Sequence, residues 1–216
     1  MNPARTQILQ NLRKRLGRTP ENADAARRSA RQWLNERAGG PRPELESDLV
    51  ERFLVCARAL SSTAERVARI EEAPAAVARY LAGERLPASA VCAAQVAPLD
   101  WSAAGIRTEA RAARDADLVG VTGCFCAIAD TGTVVLCSAP DSPAAVSLLP
   151  ETHVALVPAA RIVPHMEDAW RLAREELGEL PRAVVFVSGP SRTGDIEQTI
   201  VLGAHGPYRV HIVLIG

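Results

Sequence analysis

Lysine is nearly absent from this chain: of its 25 basic residues, only Lys14 is a lysine. It stands in a basic N-terminal stretch far from every glycine-rich loop, so Schiff-base chemistry has almost no candidate. The P-loop run G-x-x-x-x-G-K-[ST] does not occur, and neither does the dinucleotide fingerprint G-x-G-x-x-G. H-E-x-x-H and other His/carboxylate metal spacings are also missing, which argues against a mononuclear metal site. Net charge is zero, 25 basic residues against 25 acidic, so there is no general electrostatic pull towards nucleic acid or anionic lipid. No basic-aromatic alternation suggests base stacking, and Trp33, Trp101 and Trp170 read as core or interface residues. No run of about 18 apolar residues exists, so no membrane span is expected. The N-terminus MNPARTQILQNLRKRLGRTP lacks an apolar stretch before a small-residue cleavage site, so the expected location is the cytoplasm.

What is present is a chain of 216 residues with 48% hydrophobic composition, enough for one globular domain with a small appendage. The arginine bias is read as genomic composition. Five cysteines, Cys56, Cys92, Cys124, Cys126 and Cys137, make an odd number with no zinc or ferredoxin spacing. Cys124 and Cys126 are two apart, which on a strand puts both on one face with Phe125 on the other. Two readings stay open for them, a metal or redox pair and buried small apolar residues.

Residues 1–87 read as a helical region. Ile8, Leu9, Leu12 and Leu16 form an apolar stripe on a basic helix, suited to an arm, a docking helix or a subunit contact. A second helix is expected over Ala23 to Ala38, stopped by Gly39-Gly40-Pro41. A third begins near Ser47, a candidate N-cap, with Asp48 favouring the positive end of its dipole. A fourth is expected over Thr63 to Leu81. Residues 88–216 change texture to short apolar runs between turns. Strands are expected at Val91–Val96, Leu118–Val121, His153–Val157, Ala183–Val187 and Val210–Ile215. A hairpin is expected around Asp130-Thr131-Gly132, and an amphipathic helix carries Met166, Ala169, Trp170, Ala173 and Leu177. Alternating strands and helices predict a layered α/β domain with some antiparallel pairing.

Chemistry concentrates in three places. The apolar run Val184–Val187 feeds Ser188-Gly189-Pro190-Ser191-Arg192-Thr193-Gly194-Asp195-Ile196-Glu197, a loop expected at the carboxyl end of a sheet. There Ser191 and Thr193 can donate to an anion and Arg192 can grip a carboxylate or phosphate with its fork. Asp195 and Glu197 are candidate acids or bases, or orient the arginine. A plain polar turn capped by Asp195 is the equal alternative. In Gly203-Ala204-His205-Gly206-Pro207, His205 is either a proton carrier or a turn residue bonded to backbone. His211 reads as structural. His153 and His165 flank the preceding αβ unit with nothing to single them out. Finally, Gly123 can admit a ligand near a strand end and Thr131 and Thr133 can contact it, while Asp130 alone reads as a turn-former.

Together Thr122-Gly123, the run from Ala127 to Thr133, the run from Gly189 to Glu197 and the run from Gly203 to Pro207 resemble the LUD domain, and more closely the lactate utilisation protein C family. The likeness runs from about residue 88 to the C-terminus, with a weaker likeness in the helical first part. Asp130 stands where the family usually has the longer Glu, and Gly194 where it has Ala. The resemblance implies a three-layer α/β/α fold with a mostly parallel sheet, similar to the NagB/RpiA/CoA-transferase group. It also implies a place in an L-lactate-oxidising system whose partner subunits carry iron–sulfur clusters. It puts the ligand site on Ser191, Arg192, Thr193, Asp195, Glu197 and His205, with Thr131. Lactate and pyruvate are small carboxylates, which suits an arginine fork beside a proton carrier. The chain has no flavin, nicotinamide or cluster motif, so its cofactor is unknown and a redox step needs a partner or an unrecognised carrier. Two other readings remain: a non-catalytic assembly subunit docking iron–sulfur partners, and a stand-alone enzyme acting on a sugar phosphate or CoA thioester.

Overall fold

The computed structural model describes residues 3–36, 39–45, 48–194 and 201–216. The chain divides into two compact units, Met1–Pro43 and Glu44–Gly216. The first holds α1 (Pro3–Arg15) and α2 (Ala23–Glu36), and neither helix buries a described residue. In the link between them, Asn22 Oδ1 accepts from the Thr19 N–H and Asn22 Nδ2 donates to the Gly17 carbonyl. The expected stripe of α1 is there but unburied, with Ile8, Leu12 and Leu16 exposed, and Trp33 and Leu34 of α2 are exposed as well. Ala38, the expected end of α2, falls outside the described residues.

In chain order, the second unit contains α3 (Leu49–Ala59), β1 (Thr63–Val67), α4 (Ala73–Gly83), β2 (Ser89–Cys92), β3 (Arg107–Ala110), β4 (Val119–Thr122), β5 (Cys126–Ile128) and β6 (Thr133–Cys137). It continues with α5 (Ala145–Leu148), β7 (Thr152–Pro158), β8 (Ile162–Val163), α6 (Met166–Leu177), β9 (Val184–Val187), β10 (Arg192–Thr193), β11 (Val201–Leu202) and β12 (Arg209–Ile215). Six strands form an all-parallel sheet in the order β1-β12-β7-β4-β2-β3. A second sheet, β8-β5-β6-β9, is antiparallel except where β8 joins β5, and β10 and β11 make a small ribbon.

Strand alternation sorts the core into layers. On one face of the parallel sheet, Val119, Val121, Val154, Leu156 and Val213 pack against Ala73, Ala76, Val77 and Leu81 of α4. On the other face, Ala155, Val157, Ile212 and Leu214 meet Phe53, Leu54 and Ala57 of α3 and Ala127, Ala129, Val134 and Leu136 of the second sheet. The outer face of that sheet, with Cys126, Ile128 and Val135, is covered by Ala169 of α6. The α/β class and mostly parallel central sheet are as expected. The hairpin signal, however, marks a whole second sheet between the first sheet and α6.

Three local expectations need correction. The helix expected over Thr63 to Leu81 is instead β1, a 3-10 turn at Ile70–Glu72 and α4. Ala64, Glu65 and Arg66 are good helix formers, but the ladder to β12 outweighs that weak preference, and Pro74 sits in the first turn where a helix can begin. β1 and α4, both before residue 88, belong to the unit Glu44–Gly216. The strand expected to Val96 stops at Cys92 and continues as a 3-10 turn. Finally, Cys124 and Cys126 do not share a face. The Phe125 N–H bonds the Val135 carbonyl while Cys126 is also the register partner of Val135, a bulge that turns Cys124 into the inter-sheet core and leaves Cys126 on the α6 side. At α3 the cap is Asp48, accepting from the Val50 and Glu51 N–H groups at 3.0 Å, while Ser47 lies outside the described residues.

Two buried histidines brace the parallel sheet. His153 Nε2 lies 2.8 Å from Thr122 Oγ1, and His211 Nδ1 lies 2.8 Å from Thr63 Oγ1. The His211 ring also stacks on Tyr80 with centroids 3.8 Å apart. Among the described residues neither second ring nitrogen has a partner. Burial pushes both groups down from 6.5 to about 4. A histidine with a depressed folded pKa binds fewer protons than in the unfolded chain, so stability is lost as pH falls from 6.5 towards about 4. The loss approaches an order of 3 kcal/mol per histidine at its limit. Urea midpoints should therefore fall across this window, and His211→Gln should flatten the slope. Identical slopes for the two proteins would remove His211 from this account.

Candidate functional site

The second half of α3 is the platform on which the site residues meet. Gly132, in the turn from β5 to β6, has φ 62°, and a Cβ there would stand 2.2 Å from the Ala57 amide nitrogen. Gly189, just past β9, has φ 79°, and its Cβ would stand 2.2 Å from the Leu60 carbonyl oxygen. Both positions need glycine twice over, for left-handed backbone and for contact with another backbone. Two turns separate in sequence are thereby pressed onto one helix.

The first turn carries Thr131. Its hydroxyl lies 2.7 Å from Thr133 Oγ1, which lies 2.7 Å from Ser188 Oγ, so a chain of three hydroxyls joins the hairpin to the loop after β9. Thr133 is buried, while Thr131 and Ser188 face solvent. Beside them Asp130 sits 3.6 Å from Arg52 of α3 and 3.5 Å from His165 at the start of α6. The Cys56 thiol donates to the Asp130 carbonyl at 3.4 Å. Asp130 is thus more than a turn-former. Nothing in the sequence distinguishes Arg52 among the arginines, and the one available hint at His165 is its place before an amphipathic helix.

Arg192 reaches the end of the same helix. There the Ser62 N–H bonds the Ala57 carbonyl at 3.0 Å and the Ser61 N–H bonds the Arg58 carbonyl at 2.9 Å, the double closure of a Schellman motif. Its left-handed position, usually glycine, is Ser61 at φ 69°. Arg192 Nη2 donates to the Ser61 hydroxyl and lies 3.5 Å from the Leu60 carbonyl. Both acceptors are neutral, and among the described residues Arg192 forms no ion pair.

Ser191 is held by backbone. Its N–H bonds the Pro207 carbonyl and its carbonyl accepts from Gly203, both at 2.9 Å. A Cβ on Gly206 would come 3.3 Å from Ser191 Cβ, so the turn bearing His205 packs directly on Ser191. His205 is exposed on that turn, and Thr193 is buried on β10 opposite Val201. Asp195 and Glu197 lie outside the described residues.

Placement of the loop differs from expectation. Its strand, β9, pairs antiparallel with β6 in the second sheet, and the loop leads through Pro207 to the amino end of β12. Ser61 likewise precedes the amino end of β1. Gly123 follows the carboxyl end of β4 and so lies at the opposite edge of the parallel sheet from Arg192. Burial pushes the thiols of Cys124 and Cys126 up to about 12, which keeps both protonated at neutral pH. Among the described residues, no three His, Cys, Asp or Glu side chains are grouped to hold a metal ion, and no helix is long and apolar enough to cross a membrane.

The LUD domain profile matches residues 19–215, beginning well before residue 88. Over 119 residues the chain is 36% identical to Lactate utilization protein C of Bacillus licheniformis, covering 54% of this chain and 49% of that protein. Against Lactate utilization protein C 1 of Bacillus mycoides it is 40% identical over 118 residues, 53% of this chain and 50% of that protein. The matches thus span about half the length of these curated relatives. Among solved structures, a DUF162 family protein from Deinococcus radiodurans superposes with a TM-score of 0.59 at 22% identity, over 81% of this chain and 100% of that chain. At that identity the likeness is one of fold.

Two substitutions test the platform. Gly132→Ala should lower the unfolding free energy by more than about 2 kcal/mol, since a Cβ meets backbone at a positive φ. Ser61→Gly should raise it by up to about 1 kcal/mol by relieving left-handed strain. Urea denaturation reads both, and an alanine at 132 as stable as the native residue contradicts the close approach.

Proposed function

The chain belongs to the LUD domain family, and from that membership we propose that it acts in lactate utilisation, as a subunit of an L-lactate-oxidising system. In this reading it binds a small carboxylate such as lactate or pyruvate at the loops that follow β9 and precede β12. The carrying observation is Arg192, an exposed guanidinium steadied by the Ser61 hydroxyl and the Leu60 carbonyl, neither of which cancels its charge. A planar fork so held suits a carboxylate better than a mobile surface arginine would, because less side-chain entropy is lost on binding. The name shared by the relatives supplies the pathway, and a small anion in such a pathway fits the guanidinium of Arg192.

Within this reading Ser191, Thr193 and Thr131 complete the ligand contacts, and His205 with Glu197 or Asp195 handles the proton of the substrate hydroxyl. Oxidation of lactate to pyruvate also releases two electrons. The acceptor is assigned to an iron–sulfur partner subunit or to a carrier bound in the assembly, since the chain has no redox motif of its own. A second reading, an assembly subunit without chemistry, draws on the exposed Ile8, Leu12, Leu16, Trp33 and Leu34 of the first unit as a docking face for such partners.

Calorimetry on the full chain with L-lactate, pyruvate and inorganic phosphate tests the leading reading. Arg192→Ala should weaken the bound anion about tenfold to a hundredfold, equivalent to the ~1.5–3 kcal/mol of a charge-assisted hydrogen bond. Equal affinity in the two proteins, or no anion bound by either, counts against it. Loss of partner co-purification on removing residues 1–20, with Arg192→Ala silent, favours the second reading instead.

A further inference from the structure

The order of the parallel sheet contains a reversal away from the glycine-rich turns that carry Arg192 and His205. From β2 the chain first adds β3 on one side, then β4 on the other, and from β4 it continues outward to β7 and β12. The segments leaving the carboxyl ends of β2 and β4 therefore diverge, and in open α/β sheets such a crevice is the characteristic place for a ligand. Here it is a cleft of about 470 Å³, bordered by Gln95 after β2, Cys124 after β4, and Ser138 and Ser142 beyond β6. That volume lies within the range of small-molecule sites.

Its lining states what it can hold. The Gln95 amide lies over Gly123, where a Cβ would stand 2.7 Å from Nε2, a contact this exposed side chain can relieve by moving. Phe125, Leu136, Leu177 and Pro181 contribute apolar lining beside these polar groups. Arg161 also lines the cleft, but its guanidinium is committed to Glu176 at 2.7 and 2.9 Å and to the Phe125 carbonyl at 2.7 Å. Asp141 and Glu179 add negative charge at the border. An anion is disfavoured here, whereas a flat uncharged ring meets apolar lining and an amide able both to donate and to accept.

We propose that this crevice between the ends of β2 and β4 is a second ligand site, taking an uncharged heteroaromatic ring with an amide-type hydrogen-bonding edge, read by Gln95. A nucleoside base, a pyridine carboxamide and an isoalloxazine share that chemistry. The proposal stands apart from the anion site, since it uses the opposite edge of the sheet and none of the same residues.

Saturation-transfer NMR and calorimetry on the full chain with adenosine, nicotinamide and riboflavin distinguish the sources. One of the three should bind, Gln95→Leu should weaken it at least tenfold, and Ala139→Trp at the exposed rim should abolish it. Gln95 and Ala139 are both exposed, so neither change threatens the core. Arg192→Ala should leave this binding unchanged, which separates failure here from failure of the anion site. Absence of binding by all three probes, or binding indifferent to both cleft variants, overturns the proposal.

Discussion

Contact between two glycines and the backbone at the end of α3 is the constraint on which the proposed anion site depends. Gly132 and Gly189 bring the β5–β6 turn and the loop after β9 within van der Waals range of Ala57 and Leu60, leaving no room for a side chain. Everything polar nearby follows from that seating. The hydroxyls of Thr131, Thr133 and Ser188 fall into line because their turns share a helix, and Arg192 reaches Ser61 because Gly189 has already placed its loop against Leu60. Helix α3 is fixed in turn by Phe53, Leu54 and Ala57 in the core between the sheets. The site is therefore coupled to hydrophobic packing through one helix, and its precision is that of the core.

Ser61 adds a local tension to this seating. A residue other than glycine at the left-handed closure of a helix is strained by about 1 kcal/mol or more, and such strain persists only where surrounding structure holds it. What the serine offers over glycine is a hydroxyl, and that hydroxyl accepts from Arg192. The serine thus exchanges backbone ease for a contact that orients the guanidinium, as the proposed anion site requires.

Legibility in the sequence followed the number of neighbours each segment has. Strands buried on both faces, β7 and β12, and the hairpin around Asp130-Thr131-Gly132 were plain, because apolar runs and turn residues are set by burial and backbone geometry. The edge strands were not. Thr63–Val67 and Arg107–Ala110 each pair on one side only, keep polar residues outward, and carry no period that separates them from helix or loop. The bulge that parts Cys124 from Cys126 arises from pairing with Val135, a partner across the hairpin that no local pattern reveals. In the site, Ser191, Arg192 and Thr131 were visible through their glycine-rich settings. Arg52, Ser61 and His165 were not, since each acquires its role only through a contact with a distant loop.

Arg161 and Arg192 show how one residue type is held in two different ways within one unit. Arg161 donates to both oxygens of Glu176 and to a backbone carbonyl, so its charge is balanced and its fork occupied. In the proposed second site, a ligand beside it meets a paired guanidinium, with Asp141 and Glu179 at the border, and is sorted by shape and by the Gln95 amide. Among the described residues Arg192 donates only to uncharged oxygens, so no described carboxylate balances its charge. On the two proposals, a guanidinium with no described counter-charge at the amino ends of the strands and a paired one at the carboxyl ends recognise different ligands. An anion and a neutral ring would then be held by a single domain without competing for the same groups.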